Sequence, residues 1–241
     1  MIANAGKNPP AACAHDLLGK LHESQRQRYA KITNPFKRET WLMGRAYLMQ
    51  ALKFRFGRCD PEAIRTDADG RIYLDNHPAW ISMSHSHRMI VISMSDARAG
   101  VDVEYIKMRN IVRRDSRIFS ETENSYLGTL TESDRLQVFY IYWTLKEAAC
   151  KATGVPLLAC LQDFRFEMHA RSFQVPPSIP VKTWYFESAS VDGHWRMALA
   201  MTAGCDTPRI EYRQWAGDRR WQRLKPDLQV FLPSAAARRV N

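Results

Sequence analysis

The chain has 241 residues, 45% of them hydrophobic, and a formal net charge of +10. That is enough apolar material for one large core or two smaller ones, and it argues against disorder along the chain. Five cysteines, at positions 13, 59, 150, 160 and 205, form an odd set with no C-x-x-C pair, which argues against a disulfide framework and a structural zinc.

The opening stretch MIANAGKNPPAACAHD has neither the basic start nor the apolar run of a secretory signal, and no apolar segment reaches bilayer length. A cytoplasmic protein without membrane contact is the expectation. Its positive charge calls for an acidic partner: nucleic acid, a phosphorylated small molecule, an acidic protein or a membrane surface. Basic clusters occur in KMRNIVRRDSR and DRRWQRLK, but neither has the heptads or Cys/His spacing of a nucleic-acid module.

In chain order, NPFKRETWLMGRAYLMQALKFRFG reads as a helix. Asn34 caps it, Pro35 suits the first turn, Trp41, Tyr47, Leu48, Leu52 and Phe56 give an apolar face, and Gly57 stops it. The turn-rich CDPEAIRTDADGRIYLDNHPAW follows, with DADG as a hairpin-type turn before a short strand at Arg71–Leu74. In WISMSHSHRMIVISMSDARAGVDVEYI, Ile81 and Met83 alternate with Ser82 and Ser84; MIVISM is a buried-type strand, SDARAG a turn and VDVEYI another strand. From about Ile111 to Gly154 the chain reads as helical, with a capping box where Ser120 precedes Glu123 by three. DFRFEMH, VKTWYFESAS, HWRMALAMTA and RIEYRQW then read as antiparallel strands, and LPSAAARRVN as a loose tail. The class is α+β, with two halves divided near Gly100 (1–100 and 101–241).

Three features carry chemistry. On a strand, Asp102 and Glu104 of GVDVEYI share one face while Val101, Val103 and Tyr105 line the other. Two like charges there are either simply solvated on an edge strand or gathered by a divalent cation, for which carboxylate oxygens suit Mg²⁺ or Mn²⁺. In YWTLKEAACKATG, Trp143, Glu147 and Lys151 recur at i, i+4 and i+8, so charges share a helix side with a tryptophan. An exposed Glu–Lys pair there is worth only about 0.2–0.5 kcal/mol. A partly buried Glu147 between Lys146 and Lys151 would instead stay ionised as a ligand or base. In SMSHSH, Ser84 and His85 follow a strand and can present a hydroxyl and an imidazole to an anion; His85 and His87 lack a third partner for zinc.

Taken in order, WLMGRAYL, GRIYL, ISMSHS, GVDVE and WTLKEAACKATG resemble the successive motifs of the Sfp-type 4′-phosphopantetheinyl transferases. The family's G-[IV]-D-x-E is met by Gly100, Val101, Asp102 and Glu104, and its W-x-x-K-E-x-x-x-K by Trp143, Lys146, Glu147 and Lys151. The resemblance runs from Phe36 to Gly154, about half the chain.

The resemblance implies transfer of the phosphopantetheine arm of coenzyme A to a carrier-protein serine, with release of 3′,5′-ADP. It implies two similar α+β halves related by a pseudo-twofold axis, each a small antiparallel sheet on a long helix, with coenzyme A in the cleft between them. By position, Asp102, Glu104 and Glu147 would hold Mg²⁺, or Mn²⁺, against the pyrophosphate, and Glu147 would also act as base towards the serine. Lys151 and Lys146 would neutralise phosphates, and Ser84, His85 and Arg45 would contact coenzyme A. A monomer acting on an acidic acyl or peptidyl carrier is implied, with no nucleic acid or membrane as partner.

Two positions depart from the pattern. The family's Gly-Lys-Pro is Gly70-Arg71-Ile72 here, which keeps a cation for coenzyme A at Arg71 but loses the rigid proline, and the asparagine often found before Ser-His-Ser is Ser82. Two other classes compete with the transferase. A metal-dependent nuclease would place Glu and Lys two apart on a strand, whereas Glu147 and Lys151 are four apart on a helix. A non-catalytic, basic nucleic-acid-binding protein would leave the three carboxylates merely solvated.

Overall fold

The computed structural model describes residues 2–4, 16–67, 70–75, 77–108, 118–155, 161, 163–179, 184–203, 208–216 and 220–233. The middle of the DADG turn, the helical reading at 111–117, Cys13, Cys160, Cys205 and the tail beyond Pro233 lie outside the described residues. The chain forms two compact units: Met1–Met83 with Arg88–Asp96 and Ile210–Leu224, and Ser84–His87 with Ala97–Arg209 and Lys225–Asn241. The single boundary expected at Gly100 is thus replaced by an interleaved one, because 84–87 and 210–224 pack with the opposite part of the sequence.

The first unit is a seven-stranded sheet with helices. Its strands are β1 (Ile2–Asn4), β2 (Ile64–Thr66), β3 (Ile72–Leu74), β4 (His77–Ser86, of which Ser84–Ser86 belong to the second unit), β5 (Met89–Ser95), β11 (Tyr212–Trp215) and β12 (Trp221–Arg223), in the order β12-β11-β1-β5-β4-β3-β2. Helix α1 (Glu23–Ala30) precedes the long α2 (Pro35–Phe56). The expected caps of α2 are present: Asn34 accepts from the Lys37 N–H at 3.0 Å, Pro35 opens the first turn, and Gly57 closes it at φ 77°. Leu48 and Leu52 of α2 pack with Ile81 and Ile92 of the sheet in one buried cluster that also takes in Trp215.

The second unit is a six-stranded sheet of β6 (Ala99–Tyr105), β7 (Arg165–Glu167), β8 (Ser172–Gln174), β9 (Trp184–Val191), β10 (Trp195–Thr202) and β13 (Asp227–Pro233), ordered β6-β10-β9-β13-β8-β7. Helix α3 (Glu121–Gly128) begins at the predicted Ser120–Glu123 capping box, and α4 (Glu132–Thr153) lies against β6, β10 and β9. The core between α4 and the sheet is rich in aromatic rings, with Phe164, Phe166, Phe173, Phe186 and Phe231 all at most 2% exposed. Leu232 and Pro233, read from sequence as loose tail, belong to β13.

The α+β class with mainly antiparallel sheets therefore holds, with one difference. Each sheet contains a parallel pair, β1 with β11 and β13 with β8, because residues distant in sequence return to pair. Among the described residues no helix is long and apolar enough to cross a membrane.

Candidate active site

Strand β6 builds the site by simple alternation. Val101 and Val103 are buried on one face, while Asp102 and Glu104 project from the other. β6 is the edge strand of its sheet, paired with β10 in a register that puts Asp102 opposite Ala198 and Glu104 opposite Arg196. Small Gly100 lets α4 approach closely: a Cβ there would overlap the Ala148 carbonyl oxygen and come within 2.9 Å of the Lys151 Cβ. That approach sets the last two turns of α4 over the carboxylates.

Lys151 Nζ donates to Asp102 Oδ1 at 2.7 Å and to Ser84 Oγ at 3.0 Å, and Ser84 Oγ itself donates to Asp102 Oδ1 at 2.7 Å. Asp102 is 4% exposed, and its other oxygen, Oδ2, is buried without a hydrogen-bond partner. Two residues on, Glu104 Oε2 accepts from Ser86 Oγ at 2.8 Å, and Ser86 Oγ accepts from the Tyr105 N–H at 2.9 Å.

Glu147, one turn before Lys151, is half-buried. Burial first, and then the charge of Asp102 with a smaller push from Glu104, raise its carboxyl to about 7 against the pull of Lys151. The carboxyl is therefore poised near neutrality. Trp143, which shares that side, packs on the core and stacks on Phe139 with the rings 3° from parallel.

One expected cofactor contact is corrected. Lys146 was expected at the coenzyme A phosphates, yet it is fully buried. Its Nζ meets Glu123 Oε2 at 2.9 Å and donates to the carbonyls of Leu161 and Phe164. One residue along a helix is a turn of 100°, so Lys146 and its neighbour Glu147 face different ways. Glu123 in turn accepts from the Ser120 and Phe166 N–H groups at 2.7 and 3.0 Å, so the pair ties α3, α4 and β7 together.

Ser84 and Ser86 are buried on one face of β4, and the intervening His85 is exposed on the other. Arg45 and Arg71 belong to the first unit. Arg45 is 3% exposed, donates from Nε to Gln25 Oε1 at 2.8 Å, lies 4.4 Å over the Trp41 ring and keeps a buried Nη1 with no partner. Burial, and then Arg28, bring its guanidinium down to about 9, still a cation at pH 7. Arg71 lies 4.7 Å over Trp80 and pairs with Asp67 at 3.5 Å.

Sequence reasoning assigned nothing to Ser86, although its spacing from Ser84 matches that of Glu104 from Asp102. It missed equally the packing role of Gly100.

Carboxylate oxygens suit a hard divalent cation, and the orphaned Asp102 Oδ2 is the atom such an ion would satisfy. The fit is one of donor chemistry. Among the described residues no three His, Cys, Asp or Glu side chains are gathered closely enough to hold an ion, and Lys151 is the cation standing at Asp102.

A family model described as the 4′-phosphopantetheinyl transferase superfamily matches residues 98–200, the stretch that contains β6 and α4. The chain is similar to the 4′-phosphopantetheinyl transferase AcpT of Escherichia coli (strain K12), 32% identical over 120 residues, which are 49% of this chain and 59% of that protein. It is similar to Sfp of Bacillus subtilis (strain 168), 25% identical over 196 residues covering 74% and 86% of the two chains. HetI of Nostoc sp. is 27% identical over 153 residues, 60% and 64% of the two. The match thus spans less than two thirds of the AcpT length.

Proposed function

We propose that the chain, which the 4′-phosphopantetheinyl transferase superfamily model matches over residues 98–200, transfers the phosphopantetheine arm of coenzyme A to a serine hydroxyl of an apo carrier protein, releasing 3′,5′-ADP. The observation that carries this reading is the cluster of Lys151, Ser84 and Asp102 beside a Glu147 held near neutrality.

The reaction makes a bond between the serine oxygen and the phosphorus that bears pantetheine, and breaks that phosphorus's bond to the oxygen of 3′,5′-ADP. The serine proton passes to the Glu147 carboxylate, directly or through a water. A carboxyl titrating near 7 is matched to that task, since it is substantially ionised at neutral pH and still basic enough to take the proton. Lys151 neutralises the phosphate oxygens as charge moves onto the departing diphosphate.

Asp102, Glu104 and Glu147 are the residues that would hold a divalent cation, Mg²⁺ or Mn²⁺. When bound, that ion supplies charge stabilisation to the pyrophosphate. Ser84, by accepting from Lys151 and donating to Asp102, orients both. His85, Arg45 and Arg71 contribute the remaining coenzyme A phosphate contacts, and the partnerless Nη1 of Arg45 supports an anion there. The proposal includes a pseudo-twofold relation of two halves with coenzyme A between them, and a cytoplasmic monomer acting on an acidic fatty-acid, polyketide or nonribosomal-peptide carrier.

The test is intact mass spectrometry of several apo carriers incubated with the protein, coenzyme A and Mg²⁺. A gain of one phosphopantetheine, lost with EDTA, is expected. No gain on any carrier, together with no binding of coenzyme A, overturns the reading.

A further inference from the structure

Tyr105, the residue after Glu104, ends β6 among three other rings. The His87 imidazole lies 4.4 Å from it, the Trp195 indole 5.2 Å and the His194 imidazole 6.3 Å, centroid to centroid. Trp195 is the cross-strand partner of Tyr105, and its indole N–H donates to the Ser86 carbonyl at 3.3 Å. The hydroxyl of the same Ser86 holds Glu104 and caps the Tyr105 N–H. One serine therefore joins the rings to a carboxylate of the candidate active site.

These rings are not core. His87 and His194 are exposed, and Tyr105 and Trp195 are half-exposed. His87 adopts φ 53° in the two-residue turn between β4 and β5, a left-handed conformation in which histidine, like asparagine and aspartate, is enriched. Further along the chain, Lys107 is exposed and Met108 is 65% exposed. That segment is nonetheless anchored, since Tyr140 Oη donates to the Lys107 carbonyl at 3.2 Å and accepts from its N–H at 3.3 Å.

Large rings left at a surface on a fixed backbone, flanked by an exposed methionine and a cation, are the side chains that carry protein–protein recognition. They bring wide contact area with few rotors to freeze.

We propose that His87, Tyr105, His194 and Trp195 form the docking platform for the acceptor protein, receiving the acidic face that surrounds its serine. This rests on the transferase reading. The occupant follows from two observations. Ser86 makes the platform continuous with Glu104, so a protein seated there brings its serine to the carboxylates. The chain carries a formal charge of +10, which favours an acidic partner, and Lys107 sets a positive charge at the platform's edge.

Steady-state transfer by the full-length protein, with coenzyme A and Mg²⁺, tests the platform using two double variants. His87→Ala/His194→Ala removes two rings, and His87→Glu/His194→Glu adds two negative charges; both change exposed side chains outside the catalytic set. The carrier KM is expected to rise about tenfold in the alanine variant and further in the glutamate variant, with kcat and the coenzyme A KM unchanged. The glutamate penalty should shrink as salt is added.

A carrier KM within twofold of wild type in both variants overturns the platform while leaving the transferase intact. So does a matching rise in the coenzyme A KM, which would place the rings against the cofactor. Absence of wild-type transfer to every carrier overturns the transferase reading and the platform with it.

Discussion

The Lys151 ammonium and the Asp102 carboxylate meet at 2.7 Å although 49 positions separate them in sequence. The contact joins the last turn of α4 to the middle of β6 and leaves Asp102 Oδ2 unpaired. Asp102→Ala removes both a proposed cation ligand and the anchor for Lys151. Transfer to an apo carrier should fall by roughly 10²–10³ or more, with the far-UV circular dichroism unchanged. Undiminished turnover in this variant, or in Glu147→Ala, would remove the basis for the cation site.

Glu147 gives a pH signature. Its folded-state carboxyl sits at about 7 against an ordinary value of 4.5, so the folded state holds that proton more tightly than the unfolded chain. The associated stability is fully present below about 4.5 and is lost as pH rises through about 7. Glu187, also raised to about 7 by burial despite the helping hydroxyl of Tyr185 at 2.7 Å, acts in the same direction. Without added metal, the melting temperature should drop by several degrees between those pH values. Glu187→Gln should remove part of the slope, worth up to about 3 kcal/mol, and Glu147→Gln another part. An unchanged slope in the double variant would contradict this assignment.

Lys146→Met should act on stability rather than on cofactor affinity. It leaves Glu123 charged and buried with its cation gone, a change that costs about 3–5 kcal/mol. Adding Glu123→Gln should recover part of the loss. Denaturant melts and the coenzyme A KM decide the matter, and a raised KM with an unchanged melt would return Lys146 to the phosphates.

Gly100→Ala should damage fold and site together. Its methyl group overlaps the Ala148 carbonyl, backbone that cannot step aside without lifting α4 from β6. A loss of about 3 kcal/mol is expected. Transfer should also fall at temperatures where the variant remains folded, because Lys151 moves away from Asp102.

His85→Ala should mainly raise the concentration of coenzyme A needed for half-maximal transfer, measured at saturating carrier. A requirement equal to wild type would make this exposed imidazole a bystander.

Much of this was legible in the residues. The caps of α2 were readable because Asn34, Pro35 and Gly57 act locally, and the shared face of Asp102 and Glu104 because strand alternation is a two-residue rule. Lys146 was not. The sequence places it beside Glu147, but only the position of Glu123 on another helix shows that it turns inward. β2, β8 and β12, three residues each, are too short to display a period. β1 depends on a partner, Tyr212–Gln214, that no local pattern announces.

That last pairing bears on how the molecule is made. Ile2 aligns with Tyr212, so the chain must leave the ribosome as far as Tyr212 before β1 gains its neighbour on that side. Until then the nascent sheet shows an open edge next to the apolar Met89–Ser95. The first unit therefore cannot finish folding ahead of the second, as a simple N-to-C succession would allow. Slowing translation across residues 210–224 should prolong the exposed state and increase the share of chain recovered in inclusion bodies.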